Sequence, residues 1–206
     1  MRAIGLLGGS FNPAHAGHRH ISLEALKRLG LDAVWWMVSP QNPLKNAADL
    51  APFEARLEQA RAIAGHPRIR VTGIEREIGT TYTVDTLSVL VRRFRGVRFV
   101  WLMGADNLVQ ISTWEQWPRI FTLVPIAVLV RPSYAFGAQA SIAARRFARA
   151  RVPEARAAGL AWRKPPAWVF LHIRPHPASA TSIRAQRSRR AQRPARDAED
   201  IAAPRT

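Results

Sequence analysis

The sequence contains no cysteine. Disulfides and thiolate metal sites are therefore excluded. The absence suits a reducing compartment, and the cytoplasm is the expected location. Acidic residues are scarce, 14 Asp and Glu against 31 Lys and Arg, which leaves a net charge of +17. Long apolar runs are also missing. The stretch Phe121 to Val130 contains Pro125 and is too short to span a bilayer. The N-terminal residues lack a basic segment followed by a long apolar run and a small-residue cleavage site, so no secretory leader is read and no membrane is expected as a partner.

What is present is a globular composition. The chain has 206 residues, 48% of them hydrophobic, enough for one domain with a buried core. Residues 1–192 are expected to form that domain, and 193–206 a flexible basic tail. The positive charge is uneven. From Ser141 onward there are 15 Lys and Arg and 4 Asp and Glu, a net of +11. A balance of this kind favours an anionic partner. It is nearly all arginine alternating with alanine, which a biased composition would also produce.

Apolar runs ended by glycine or proline alternate with helical periodicity. Ala3 to Gly9 reads as a fully buried strand leading into a tight turn. Ile21, Leu23, Leu26 and Leu29 give a helix over Gly17 to Leu29, stopped by Gly30. Asp32 to Ser39 is a second strand, and the right-handed crossover rule makes the pair parallel. Further on, the pattern predicts a helix over Phe53 to Ala64 behind Pro52, and a short strand in "RIRVTGIE". It also predicts a Thr-capped helix over Thr81 to Phe94 and strands at Val97 to Gly104, Pro125 to Val130 and Ala167 to Ile173. Asp106 to Trp117 is helical or irregular, Ser133 to Pro166 is poorly punctuated, and Ser179 to Gln192 reads as a capped helix. The expected fold class is α/β: a single Rossmann-like three-layer domain, its mostly parallel sheet flanked by helices.

Three of the six histidines follow the first strand, in "GLLGGSFNPAHAGHRHIS" (Gly5 to Ser22). Open α/β sheets bind ligands at the C-terminal ends of their strands. Gly8 and Gly9 let backbone N–H groups approach a phosphate. His15 and His18 share one face at a helix N-terminus, which itself attracts anions. Gly17 permits close approach of a ligand or loop. No Gly-Lys-Ser/Thr follows, so this is not a Walker loop, and the glycine spacing is not the dinucleotide fingerprint. A metal pair would need a third ligand of matching spacing, and none is seen. His20 points elsewhere on the helix.

The stretch "GGSFNPAHAGH" resembles the signature of the nucleotidyltransferases that carry an HxGH motif, and the fuller match is to the nicotinate-nucleotide adenylyltransferases. "NPLK" (Asn42 to Lys45), "TYTVDTL" (Thr81 to Leu87), "MGADNL" (Met103 to Leu108), "WEQW" (Trp114 to Trp117) and "SATSIR" (Ser179 to Arg184) follow in the family's order. The resemblance spans about Ala3 to Gln192 and implies adenylyl transfer from ATP to nicotinate mononucleotide. It assigns His15, His18 and Arg184 to catalysis. ATP would be bound by Gly8, Gly9, Ser10, Phe11, Gly17, Lys45, Gly104, Asp106, Arg131, Ser179 and Thr181. Nicotinate mononucleotide would be bound by Asn12, Thr81, Tyr82, Thr83 and Trp114. Mg²⁺ would be carried mainly on the ATP phosphates, with no dedicated protein ligands.

Each assignment has a plainer counterpart. Thr81 or Thr83 could simply cap a helix, and Asp106 could cap the next one. Asp85 reads as structural. Arg131 could be solvated, and "SATSIR" could be an ordinary capped helix. Trp114 and Trp117 would share a helix face if their segment is helical, where an aromatic pair often serves as core. The resemblance gives ring stacking to Trp114 and leaves Trp117 to packing. Nicotinamide mononucleotide remains an alternative acceptor. Pantetheine phosphate is disfavoured, since that family's GSFDPxTxGH has Asp and Thr where Asn12 and His15 stand. A nucleic-acid-binding protein is the alternative from another class. No aromatic–basic recognition motif on a strand supports it, and no nucleic acid partner is expected. The oligomeric state stays open.

Overall fold

The computed structural model describes residues 1–41, 50–130, 135–174, 176, 178 and 183. Six strands form one sheet: β1 (Arg2–Gly9), β2 (Ala33–Val38), β3 (Ile69–Thr72), β4 (Val97–Gly104), β5 (Ile126–Val130) and β6 (Trp168–His172). Their order is β3-β2-β1-β4-β5-β6, and every pairing is parallel. Strand order reverses direction at β1, which lies between β2 and β4. A crevice forms at such a switch point, outside the strands' C-terminal ends.

The continuous apolar runs are explained by burial on both faces. Along β1, Ala3 and Leu7 enter one core with Trp36, Val100 and Leu102. Ile4 and Leu6 enter the other with Phe99, Trp101 and Met103. This two-residue alternation, with both faces apolar, marks a parallel sheet covered by helices. Gly5 is needed between the layers, because a Cβ there would lie 2.8 Å from both Leu31 and Leu102.

Helices α1 (Ala16–Arg28) and α2 (Phe53–Ala64) cover the first face. Gly30 and Gly65 follow them at φ +63° and +46°, conformations in which a side chain is strained. The second face is covered by α4 (Thr83–Arg93), α5 (Ala105–Gln110), α6 (Trp117–Leu123) and α8 (Ile142–Arg146). The strand expected in "RIRVTGIE" stops at Thr72. There the hydroxyl of Thr72 accepts the Ile74 N–H and starts the short helix α3 (Ile74–Glu77). The unpunctuated stretch after Ser133 contains α7 (Ala135–Gln139), α8 and 3₁₀ turns at Ala148–Ala150 and Glu154–Trp162. The last turn buries Ala157, Leu160 and Ala161.

The start of α4 differs from the sequence expectation. Tyr82, not a threonine, is the N-cap, and it caps with no side-chain hydrogen bond. Thr80 and Thr86 instead bond each other through their hydroxyls at 2.8 Å.

Glu75 of α3 is 6% exposed, and its Oε2 has no hydrogen-bond partner among the described residues. Burial pushes its carboxyl from the ordinary 4.5 up to about 7, and a hydrogen bond with Ser39 opposes the shift only in part. Between those values the folded chain holds a proton that the unfolded chain has released, so stability falls as pH rises through the window. The full loss, of order 3 kcal/mol at about 1.4 kcal/mol per tenfold change in proton affinity, is reached above the folded value. Glu75→Gln is expected to flatten the decline between pH 4.5 and 7 and to raise the melting temperature at pH 8. Parallel melting curves for the two proteins across this range check it.

Candidate active site

β1 ends at Gly9, and the chain turns through Ser10, Phe11 and the cis peptide Asn12–Pro13 before α1 begins. Phe11 takes φ +46° with its ring 2% exposed. That ring stacks on Trp36 at 5.2 Å and lies 4.8 Å from His18. A non-glycine residue in this conformation is held by its surroundings, here by a buried aromatic anchor.

His15 is the N-cap of α1. Its Nδ1 accepts the Gly17 N–H at 3.1 Å. The Nδ1 of His18 accepts the His15 N–H at 3.2 Å. The pair makes a reciprocal capping box in which imidazoles replace the usual hydroxyl and carboxylate. Because both Nδ1 atoms accept, the neutral rings carry their proton on Nε2. The ring centroids are 3.9 Å apart. No acidic residue lies in the first turn of α1. Two imidazoles thus stand side by side at the positive end of a helix, an arrangement suited to phosphate oxygens.

Support comes from behind. Trp36 Nε1 donates to Ser22 Oγ at 2.7 Å, and that hydroxyl donates to the carbonyl of His18 at 2.9 Å. Gly17 is the point of closest approach: a Cβ there would lie 2.8 Å from both the Ala178 carbonyl and the His15 ring. His20 accompanies this contact, its Nε2 lying 2.9 Å from the Arg174 carbonyl and its ring 5.6 Å from that of His176. The chain leading to "SATSIR" therefore passes along the first turns of α1. Ser179, Thr181 and Arg184 themselves, and likewise Lys45 and Arg131, lie outside the described residues.

Arg56 was not singled out from the sequence. It is 2% exposed, and its guanidinium donates to the carbonyls of Ser10 (2.6 Å), Ser39 (2.8 Å), Pro40 (3.0 Å) and Ala51 (2.9 Å). Burial lowers its proton affinity from the ordinary arginine value. Nearby, the Ala51 N–H donates to Asn12 Oδ1 at 3.3 Å. Arg56 shares a helix face with Ala60 and Ala64, so the signal was an arginine at core spacing.

Gly8 has a specific neighbour. A Cβ there would lie 2.6 Å from the Trp101 ring. Trp114 in turn meets Trp101 edge to face, with centroids 6.5 Å apart. The indole Nε1 atoms of Trp101 and Trp114 are buried with no partner among the described residues. Trp114 follows the 3₁₀ turn Ile111–Thr113 in extended conformation, so it shares no helix with Trp117. Trp117 packs edge-on against Phe121 and Phe147. Thr81, Tyr82 and Thr83 open α4, whose Val84 and Leu87 belong to the same core as Trp101. Asp106, exposed in the first turn of α5, and its neighbour Gly104 stand at the end of β4 beside β1.

Among the described residues, no helix is long and apolar enough to cross a membrane, and no cluster of three His, Asp or Glu could hold a metal ion. Residues 6–186 match the cytidylyltransferase-like family. The chain is 56% identical over 182 residues to a "probable nicotinate-nucleotide adenylyltransferase" of Cereibacter sphaeroides, covering 88% of this chain and 96% of the relative. Proteins of the same name from Methylorubrum extorquens and Rhizobium meliloti are 55% and 48% identical over 186 residues, covering 90% of this chain and 99% of each relative. The fold matches the nicotinic acid mononucleotide adenylyltransferase of Plasmodium falciparum, solved with NaAD, at TM-score 0.66 and 16% identity, over 90% of this chain and 83% of that one. A switch point at β1, an imidazole-capped helix and relatives of this identity and span agree: the chain belongs to the nicotinate-nucleotide adenylyltransferases of the cytidylyltransferase-like family.

Proposed function

We propose that this chain transfers the adenylyl group of ATP to nicotinate mononucleotide, forming nicotinate adenine dinucleotide and releasing pyrophosphate, a step of NAD biosynthesis. The observation that carries this reading is the histidine capping box, which sets two imidazoles side by side at one helix start. The attacking group is a phosphate oxygen, already anionic at neutral pH. The reaction needs no general base and no covalent intermediate. A P–O bond forms at the α-phosphorus while the bond to the departing pyrophosphate breaks. What the protein supplies is alignment and stabilisation of phosphate charge.

His18 is assigned to the α-phosphate and His15 to the neighbouring phosphates. Gly8, Gly9, Ser10, Phe11 and Gly17 shape the turn that receives them. Gly104 and Asp106 fit the ribose side of ATP, with Arg131 and Ser179 as further nucleotide contacts. Lys45, Thr181 and Arg184 are assigned to the β- and γ-phosphates, supported for the last two by the approach of Ala178 to Gly17. Both histidine Nδ1 atoms are occupied by backbone N–H groups, and Asp106 is the exposed carboxylate at the neighbouring strand end. This donor set fits an ion that arrives on the triphosphate. Mg²⁺ bound in that way would neutralise phosphate charge. The supply of ATP makes the cytoplasm the expected compartment.

On the acceptor side, Trp114 is assigned to the pyridine ring and Asn12 to the mononucleotide. The N–H groups at Thr81, Tyr82 and Thr83 are assigned to the nicotinate carboxylate. That role is supported by the missing side-chain cap of α4. A carboxylate at a helix start gains from both the N–H groups and the helix dipole, whereas a neutral amide gains less.

Three outcomes are expected. Pyrophosphate release with Mg-ATP should be at least about tenfold faster per acceptor concentration with nicotinate mononucleotide than with the nicotinamide form; equal rates would remove the acid preference. His18→Ala should lower kcat about 10²-fold or more while the chain stays folded. Near-normal turnover in a folded variant would end the assignment. Trp114→Ala should raise KM for the mononucleotide about tenfold without changing KM for ATP, and Trp114→Phe should restore most of it. An unchanged mononucleotide KM would rule out the stacking role.

A further inference from the structure

Much of the positive charge gathers away from the phosphate turn. After α8 the chain reaches the edge strand of the sheet, where Arg151 forms an isolated bridge with Trp168, the first residue of β6. There an open cavity of about 490 Å³ is lined by five cationic residues: Arg149, Arg151, Arg156, Arg163 and Lys164. All five are exposed. No carboxylate lines this cavity among the described residues. The neighbouring acid, Glu154, is already engaged by Arg28 and His172, each at 2.6 Å.

Arg151 is held in place. Its guanidinium lies 5.7 Å from the ring centre of Trp168 and 4.8 Å from that of Phe170. A stacked guanidinium keeps its planar edge for an oxyanion. Five like charges around one opening repel each other, and a polyanion relieves that repulsion. A single phosphate occupies one or two arginines. Five cations therefore match several phosphates in a row, and the volume is that of a small-molecule site.

The phosphate turn follows Gly9 at the end of β1, whereas the cavity opens before the first residue of the edge strand β6, three strands away, about 14 Å at roughly 4.8 Å per strand. Through Ile126 and Trp101, Trp168 stands level with Leu6, so the cavity also begins about 10 Å short of Gly9 at roughly 3.3 Å per residue. The two openings are therefore separate. We infer that the cavity is a second binding site, for an anion carrying several contiguous phosphates. Trp162, 56% exposed, precedes Arg163 in the chain and lies just outside the cavity's lining, where an exposed indole suits a nucleobase. An inorganic polyphosphate and a nucleoside polyphosphate share the chemistry that the five cations recognise.

Calorimetric titration of the full chain tests this, with tripolyphosphate and GTP as probes. The proteins are the wild type, the double variant Arg163→Gln, Lys164→Gln, the single variant Arg156→Gln, and His18→Ala. Wild type should show two tripolyphosphate sites. One should weaken about tenfold or more in the double variant and measurably in Arg156→Gln, with adenylyl-transfer rates unchanged. His18→Ala should retain that site. GTP binding tighter than tripolyphosphate, with the advantage lost in Trp162→Ala, would identify a nucleoside polyphosphate; equal affinities would identify the inorganic chain. A single site, lost in His18→Ala and untouched by the Arg163 and Lys164 changes, overturns the inference. So does a short RNA that binds the cavity about tenfold tighter than either probe. Failure of adenylyl transfer in the wild type would bear on the proposed function and leave this result intact.

Discussion

The Arg56 guanidinium fixes the relative positions of three segments. β1 and β2 end side by side, and the chain beyond each must turn without a sheet partner. Carbonyls left by those turns would face the interior unpaired, at about 1–3 kcal/mol each. One buried cation from α2 collects four of them, from Ser10, Ser39, Pro40 and Ala51. The charge is tolerated because every bond it makes is to a carbonyl dipole, a form of solvation supplied by the chain itself. With Ser10 fixed, Phe11 can take its left-handed conformation against Trp36, and the histidines can reach the start of α1.

The site is built around donors. The rings of His15 and His18 are oriented by their own helix, and Ser22 and Trp36 brace the backbone behind them. On the proposed function, little reorganisation would be needed when phosphate arrives, which is what electrostatic catalysis requires. On the opposite face of β1, Gly8 admits Trp101, and Trp101 meets Trp114. One strand end thus connects the histidine turn to the tryptophan pair.

Much of this was legible in the sequence. The runs Ala3 to Gly9 in β1, Phe99 to Gly104 in β4 and Ile126 to Val130 in β5 are apolar throughout because both faces are covered, and that pattern indicates a parallel sheet. The turn with His15 and His18 was legible because its chemistry is local: glycines, a helix start and one spacing. What escaped notice depends on distant partners. Gly8 reads as a phosphate-binding glycine, but its tightest neighbour is Trp101, far along the chain. Arg56 stands at core spacing on α2, but its partners appear only when the ends of β1 and β2 are placed around it. Glu75 carries no local mark of burial. The threonines before α4 have the composition of a cap, yet the cap is Tyr82 and the hydroxyl pairing is between Thr80 and Thr86. The tryptophan pair was read at helical spacing, and the chain bends between them.

The imidazole caps tie two kinds of loss together. In most enzymes a catalytic side chain can be removed with little harm to the fold, because the strain of the site is relieved. Here each histidine also closes the first turn of α1, and a lost cap costs about 1 kcal/mol. A lineage that no longer needed the reaction could not drift freely at these two positions. Selection for a folded chain would still demand a side-chain acceptor at each after selection for activity had ceased, so replacements there would run to Ser, Thr, Asp or Asn and not to apolar residues.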